Sequence, residues 1–288
     1  HEHYEDTPWR EQSLYANDAR TQALCGYYAF GDSAFPRASF DLLGRGLRPD
    51  GWLALTAPGS PRLTIPSFTL VWMLAVRDHY LYSGDDTLAR AFFPQMITML
   101  DRLAAGMREG LLPLDRREGV WHFYDWTRDL DGFPEKVFSA SKGADAFGAD
   151  TWADAPLNCY FILALEAVTE MAAWLGEETC CKRFAALAEA TRARVHQAFW
   201  DARQACYRTC ASATVMSVLV QALAILAGVC PEERRAGLCR QMLAGTMSEA
   251  GLSQMYYVFT ALLRTDRHFA VDVMARMDRD WGMMLWRG

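Results

Sequence analysis

Long segments with helical periodicity alternate with very short turns that share one composition. Each of three such turns combines a glycine with an acidic residue or a proline: Ser83-Gly84-Asp85-Asp86, Gly176-Glu177-Glu178 and Gly228-Val229-Cys230-Pro231-Glu232. Glycine readily takes the left-handed conformation that ends a helix, and acids or proline favour the first turn of the next helix. Connections this short join antiparallel neighbours, so the sequence predicts helical hairpins.

About ten segments have the apolar spacing of a helix. They are residues 18–30, 34–44, 67–83, 86–107, 157–175, 179–200, 213–227, 231–243, 252–263 and 266–277. The first half of segment 67–83 is almost entirely apolar, which predicts a buried helix. The intervals between the turns are irregular, so the hairpins do not form a fixed-period solenoid.

Two segments interrupt the helical pattern. Residues 49–66 are rich in glycine and proline, and residues 111–148 contain glycine, proline, tryptophan and many acids, with a strand-like stretch at 119–124. Long irregular loops in a compact helical domain usually carry function, although an ordered surface cover has the same composition.

Helical hairpins with loops of this kind predict an all-α fold, an (α/α)6 toroid with its site on the concave face. About ten helices are fewer than the twelve of a six-hairpin ring, so we expect the toroid to be incomplete at the C-terminus. The chain begins with His1 and ends directly after an aromatic-rich run. We therefore expect residues 1–288 to be one helical catalytic domain from a longer multidomain protein.

The charge pattern and motifs exclude several classes of protein. The net charge is −6 with no basic stripe, which argues against a nucleic-acid partner. No apolar run is long enough to span a membrane. The eight cysteines form no CxxC pair, so we expect free thiols, which favour a reducing compartment such as the cytoplasm. No GxGxxG motif and no metal-ligand spacing occur, so no cofactor or metal is predicted.

The chemistry-bearing segment is residues 6–18. The carboxyl groups of Asp6, Glu11 and Asp18 lie on either side of Arg10, just before a predicted helix. Neighbouring carboxylates disfavour each other's ionisation, so one of them can hold a proton near neutral pH, as the general acid of a glycosidase must. Two structural alternatives are open: Asp18 caps the following helix, and Asp6 forms an ion pair with Arg10.

This segment resembles the signature of the glycoside hydrolase family 78 α-L-rhamnosidases, which reads Asp-Cys-Pro-x-Arg-Glu-x-x-x-x-x-x-Asp. Asp6, Pro8, Arg10, Glu11 and Asp18 stand at the matching positions, and Thr7 replaces the usual cysteine. The resemblance covers essentially the whole chain. It continues through Gly51-Trp52-Leu53, Thr64-Ile65-Pro66-Ser67-Phe68, Phe123-Tyr124-Asp125-Trp126, Leu130-Asp131-Gly132, Asp154-Ala155-Pro156-Leu157-Asn158 and Trp281-Gly282-Met283-Met284-Leu285.

The resemblance implies a six-hairpin toroid that removes terminal L-rhamnose with inversion. By this match Glu11 is the general acid, Asp6 and Asp18 hold sugar hydroxyls, and Arg10 lies beside the acid. The family's general base is a glutamate in a Thr-Thr-x-Trp-Glu segment a few residues after the stretch that matches 281–288, so this chain ends before it. Flanking β-sandwich domains are also implied for the parent protein. Residues 210–217 depart from the family by being mostly apolar.

Asp125 and Trp126 are the second candidate pair, because they lie in the irregular loop and in a matching motif. We expect the Trp126 ring to stack on a sugar and Asp125 to bind a hydroxyl; a buried tryptophan beside a turn aspartate is the structural alternative. Weaker candidates are Trp121, His122, Asp129, Asp131 and Glu135.

Two rival functions share this fold class. One is a toroid glycosidase or a lyase with another sugar specificity, and the lyase would use a Tyr/His or Arg pair rather than a buried acid. The other is a non-catalytic sugar-binding helical domain, which would not enclose Glu11 in a pocket.

Overall fold

The computed structural model describes residues 2–59, 62–127, 129–132 and 151–287. Helices dominate these residues: α1 (Ala16–Phe30), α2 (Ala34–Arg45), α3 (Pro66–Ser83), α4 (Thr87–Ala105), α5 (Ala155–Leu175), α6 (Glu178–Phe199), α7 (Val218–Leu226), α8 (Glu232–Leu243), α9 (Met255–Thr265) and α10 (Ala270–Arg287). Strands β1 (Trp200–Asp201) and β2 (Cys206–Tyr207) form a short antiparallel pair with Trp200 opposite Tyr207. The predicted all-α class built from helical hairpins is confirmed.

The odd-numbered helices form an inner layer. Helix α1 packs on α3, α3 on α5, α5 on α7 and α7 on α9, whereas each even-numbered helix packs against the inner helix that precedes it in its hairpin. Successive inner helices are separated by one antiparallel helix, so they run parallel to one another. Their N-terminal ends therefore meet at one end of the layer, and the loops that precede them share that end.

The predicted turn glycines end their helices as expected. Gly84 and Gly176 take left-handed conformations, with φ of 72° and 78°, and their backbone N–H groups bond to carbonyls of the preceding turn. The next helix starts within a few residues in both cases. The apolar start of α3 is buried over nearly its whole circumference, as its composition predicts.

Helix α7 starts later than predicted. It begins at Val218 rather than at residue 213, because the preceding backbone pairs with distant segments. Cys210 forms a bridge with Asp154, and Ser217 forms one with Ser248. The pair with Ser248 takes the Met216 carbonyl and the Val218 N–H, groups that a helix would have used.

Two other expectations need correction. Residues 119–124 do not form a strand; the backbone makes one isolated bridge there, between Thr64 and Val120. The last predicted helix, 266–277, is displaced toward the C-terminus: Asp266 caps a 3-10 turn and α10 then runs from Ala270 to Arg287.

The expectation of free thiols agrees with the structure. All eight cysteines are unpaired, and five of them are buried: Cys159, Cys206, Cys210, Cys230 and Cys239. Among the helices of the described residues, none is long and apolar enough to cross a membrane.

Candidate active site

The loop before α1, residues 6–13, is called the acidic loop, and hydrogen bonds between Asp6 and Ser13 join its two ends. The Asp6 N–H donates to the Ser13 carbonyl at 2.9 Å, and the Ser13 N–H donates to Asp6 Oδ1 at 3.1 Å. Inside the loop the Thr7 hydroxyl donates to Asp6 Oδ2 at 3.2 Å and accepts from the Glu11 N–H at 3.2 Å. The threonine that replaces the family's cysteine thus links the backbone of Glu11 to the side chain of Asp6.

Glu11 is held at the surface by two side chains. Arg10 Nη2 donates to its Oε1 at 2.8 Å, and the Tyr15 hydroxyl donates to its Oε2 at 2.9 Å. The Glu11 side chain is 35% exposed and that of Arg10 is 77% exposed. Arg10 pairs with Glu11, and the alternative ion pair between Asp6 and Arg10 is not formed.

Asp18 lies in the first turn of α1 but does not cap it, because the N-cap residue is Tyr15. Burial, together with the charges of Asp6 and Glu11, raises the pKa of Asp18 to about 6. The pKa of Tyr15 is also raised, most by burial, next by the hydrogen bond to Glu11, and then by the charges of the same three carboxylates. The structure therefore brings Asp6, Glu11 and Asp18 within electrostatic reach of one another around Tyr15.

Asp125 and Trp126 have opposite environments. Trp126 is 66% exposed, and its ring packs edge-on against Phe123 at 4.8 Å and Trp121 at 5.7 Å. Asp125 is only 1% exposed, and its oxygens accept backbone N–H groups from Trp126 at 2.8 Å and from Gly251 at 2.7 Å. Burial raises the pKa of Asp125. Trp126 is thus available to a ligand, whereas the Asp125 carboxyl is occupied by backbone donors; direct binding of a hydroxyl by Asp125 stays a prediction.

A chain of aromatic rings connects the two candidate regions. Tyr15, which bonds to Glu11, meets Phe68 edge-on at a centroid distance of 6.3 Å. Phe68 meets Phe123 at 6.0 Å, and Phe123 contacts Trp126. Tyr15 and Phe68 belong to the N-terminal ends of α1 and α3. The acidic loop and Trp126 therefore lie at the same end of the inner layer, although more than a hundred residues separate them.

A buried polar network lies beneath the acidic loop. Arg20 on α1 donates from Nε to Asp78 Oδ2 on α3 at 2.8 Å and from Nη1 to the Tyr257 hydroxyl on α9 at 3.2 Å. The Tyr257 hydroxyl donates in turn to Asn17 Oδ1 at 3.3 Å. Asn17 and Arg20 flank Asp18 on α1, so this network holds the start of that helix against two other inner helices.

Sequence reasoning assigned no role to Tyr15, Asn17 or Arg20. The spacing of Tyr15, four residues after Glu11, is the one local signal that pointed to a contact. Arg20 and Asn17 have hydrogen-bond partners up to 240 residues away, and no local sequence pattern predicts these contacts.

The weaker candidates take structural positions where they are described. Trp121 Nε1 donates to the Asp131 carbonyl at 2.8 Å. His122 is buried, its Nε2 lies 3.0 Å from the Asp115 carbonyl, and burial lowers its pKa to about 4. Asp129 has a left-handed backbone with φ of 66°. Glu135 lies outside the described residues.

No group of three His, Cys, Asp or Glu side chains in the described part of the chain has an arrangement able to hold a metal ion. The functional groups at the candidate site are clustered carboxyl groups beside an arginine, a tyrosine and an exposed tryptophan. Carboxyl groups at such a site suit acid and base catalysis, and aromatic faces suit the apolar faces of sugars.

A layer of parallel inner helices with an acidic cluster at its N-terminal end is the architecture of a helical-hairpin domain with a candidate acid/base site. The chain belongs to the bacterial α-L-rhamnosidase six-hairpin glycosidase domain family, whose pattern matches residues 1–288. The resemblance to family 78 rhamnosidases is thereby confirmed.

Solved rhamnosidases share this fold. The family 78 rhamnosidase of Bacillus sp. GL1 is 22% identical with a TM-score of 0.83, and the match covers 98% of this chain and 28% of that protein. The Klebsiella oxytoca rhamnosidase with rhamnose bound is 19% identical with a TM-score of 0.80, over 99% of this chain and 52% of that protein.

The Streptomyces avermitilis α-L-rhamnosidase complexed with L-rhamnose is 16% identical with a TM-score of 0.64, over 91% of this chain and 23% of that protein. The chain thus spans between about a quarter and about half of these solved proteins. A comparison with curated proteins finds no match.

Proposed function

We propose that this domain hydrolyses terminal α-L-rhamnosyl residues from glycosides by an inverting acid/base mechanism. The observation that carries the proposal is the hydrogen-bonded cluster of Asp6, Glu11 and Tyr15, with Asp18 in the following helical turn, at the positions of the family signature. Membership of the rhamnosidase family and the rhamnose bound to two solved relatives support the choice of sugar.

In this proposal Glu11 is the general acid. It gives its proton to the glycosidic oxygen as the bond from that oxygen to the anomeric carbon breaks, and the aglycone leaves as a neutral alcohol. Glu11 takes this role from its position in the family signature, and its side chain, which reaches the surface, is oriented by Arg10 and Tyr15. Asp6, Arg10 and Asp18 bind the sugar hydroxyls, and the Trp126 ring covers one face of the sugar.

Inversion also requires a base on the opposite face of the sugar. That base takes a proton from the water that attacks the anomeric carbon, and its carboxyl group stands roughly 6.5–9.5 Å from the acid. In the resembling family it is a glutamate that follows the stretch matching residues 281–288. We therefore propose that the base comes from the parent protein outside these 288 residues, and that residues 1–288 alone have little or no hydrolytic activity.

We also propose that residues 1–288 work as one catalytic domain beside β-sandwich domains of the parent chain. The substrate is a rhamnose-containing carbohydrate, and no cofactor takes part. The fraction of the solved rhamnosidases that this chain spans, 28% of one and 52% of another, is compatible with further domains.

The test is Glu11→Gln in the full-length protein, with Glu178→Gln as the control, because Glu178 is an exposed glutamate on α6 whose side chain is 84% accessible. A general acid contributes about 10²–10⁴-fold, so we expect a loss of that size for an alkyl rhamnoside. The loss should be much smaller for nitrophenyl α-L-rhamnoside, whose leaving group needs little protonation. Equal losses for both substrates would mean that Glu11 binds the sugar and does not protonate it.

A panel of nitrophenyl glycosides on the same preparation tests the sugar. Release of nitrophenol from the α-L-rhamnoside alone supports the proposal. Release from another sugar would favour the rival toroid glycosidase. Binding of rhamnose without turnover by the full-length protein would favour the non-catalytic sugar-binding domain.

A further inference from the structure

The Asp125 carboxylate joins two loops that are far apart in sequence. Its Oδ2 accepts the N–H of Gly251, 126 residues away, at 2.7 Å, and its Oδ1 accepts the N–H of Trp126 at 2.8 Å. The Thr127 hydroxyl lies 3.5 Å from Oδ2. Gly251 begins the short 3-10 turn that leads into α9. The carboxylate is therefore a bridge between the Trp126 loop and the start of an inner helix.

Gly251 is a glycine because of this bridge, not because of its backbone angles. Its φ of −60° and ψ of 153° are open to any residue. A Cβ at this position, however, would collide with Asp125 Oδ1. The absence of a side chain lets the carboxylate approach the N–H closely, which a buried charge-assisted hydrogen bond requires.

The segment that carries Trp126 is anchored just before the exposed ring and at the backbone of Trp126 itself. Before it, the buried Tyr124 hydroxyl donates to Asp154 Oδ2 at 2.7 Å, and Asp154 caps α5 by accepting the Leu157 N–H. At Trp126 itself, Asp125 fixes the backbone N–H. The indole that follows these anchors is 66% exposed.

We propose that Asp125 is a positioning residue in place of the direct sugar ligand expected from the sequence. With Gly251 as its partner, it fixes the loop that carries Trp126 and acts on the substrate through the Trp126 ring, without touching the sugar itself. This inference rests on the proposed function only in assigning Trp126 to a sugar. The bridge between the two loops is independent of that assignment.

Hydrogen exchange of the full-length protein tests the bridge without any substrate. We expect Asp125→Ala and Gly251→Ala each to speed exchange of the amides in residues 121–127. The double variant should exchange no faster than Asp125→Ala, because the methyl group added at position 251 no longer meets a carboxylate. Gly237→Ala is the control, since a Cβ at Gly237 has nothing within 4 Å. Unchanged exchange in Gly251→Ala, or additive effects in the double variant, would overturn the bridge.

Kinetics with nitrophenyl α-L-rhamnoside test the positioning role. Misplacing a substrate-contacting group by about 1 Å can cost up to about a hundredfold. We expect Trp126→Ala and Asp125→Ala each to raise KM by about tenfold, with a smaller effect on kcat. In the Trp126→Ala background the Asp125 substitution should add less than about twofold, because its effect passes through the missing ring.

A full independent effect of Asp125→Ala in that background would show that Asp125 binds the sugar directly, and the inference would be wrong. If the wild-type protein hydrolyses no rhamnoside, the proposed function fails, and hydrogen exchange still decides whether the bridge exists.

Discussion

Removing the buried guanidinium of Arg20 should destabilise the whole domain. Arg20 is 4% exposed and pairs with Asp78, which is 5% exposed. Breaking a buried ion pair by removing one partner costs about 3–5 kcal/mol, because the other charge is left uncompensated. Asp78 keeps a second partner, Arg77, at 2.7 Å, so we expect the low end of that range, about 3 kcal/mol for Arg20→Met.

Thermal unfolding measures this cost. For a chain of 288 residues the unfolding entropy is about 0.6 kcal/mol per kelvin, so the expected fall in Tm is about 5 °C. Arg90→Met is the matched control, because Arg90 pairs with Asp86 on the exposed surface of α4. An exposed pair of this kind contributes less than about 1 kcal/mol.

The charge partner provides a second check. The neighbouring arginines hold the pKa of Asp78 below its ordinary value. Its stabilising contribution is thus present above the unfolded-state pKa of about 3.9 and is lost as the pH falls through the lower folded-state value. Adding Asp78→Asn to Arg20→Met should recover part of the lost stability, because the buried side chain that has lost Arg20 then carries no charge, while Arg77 keeps Glu170 at 3.7 Å. A Tm for Arg20→Met within about 1 °C of the Arg90→Met value would refute the reasoning.

Three further outcomes are expected. The pKa of Asp18 is raised to about 6, so its ionisation destabilises the folded state as the pH rises from about 4 to 6. Asp18→Asn should therefore raise the free energy of unfolding by about 1–2 kcal/mol at pH 8 and by little at pH 4. An equal gain at the two pH values would contradict this prediction. A Cβ on Gly44 would meet an aromatic carbon at 2.5 Å, so calorimetry should find Gly44→Ala destabilised by about 1–3 kcal/mol. Gly237→Ala, whose Cβ would enter open space, should be neutral or stabilising. Similar unfolding free energies for the two variants would reject overpacking as the cause. Tyr15→Phe removes the hydroxyl bonded to Glu11 and should lower kcat/KM for the rhamnoside about 5–10-fold at unchanged Tm, while full activity would show that this bond plays no part.

The helical architecture could be predicted because its signals are local. Apolar spacing located the helices, and turns such as the one at Gly84 marked their ends. The errors arose where distant segments compete for the backbone. Ser217 pairs with Ser248 and delays α7, and Val120 makes only one bridge, with Thr64, where a strand was predicted.

The same division holds at the candidate site. The motif singled out Glu11 and Asp18 from a dozen consecutive residues; in the structure Glu11 bonds to Tyr15 and Asp18 lies in the next helical turn, and their roles stay predictions. The environment of Asp125 was not predictable, because its partner Gly251 is an ordinary-looking glycine in another loop. Whether a carboxylate faces solvent or a backbone amide depends on packing between elements, which residue type does not encode.

The hydrogen bonds of Tyr257 also determine the order in which the molecule can be completed during synthesis. Arg20 and Tyr257 are 237 residues apart, and ribosomes add about 5–20 residues per second. The Tyr257 hydroxyl, which contacts Asn17 and Arg20, is therefore synthesised about 12–48 s after these two residues of α1. During that interval the nascent chain can pair Arg20 with Asp78 but lacks its third partner. The hydrogen-bond network that holds the start of α1 is thus completed late, only after α9 has left the ribosome.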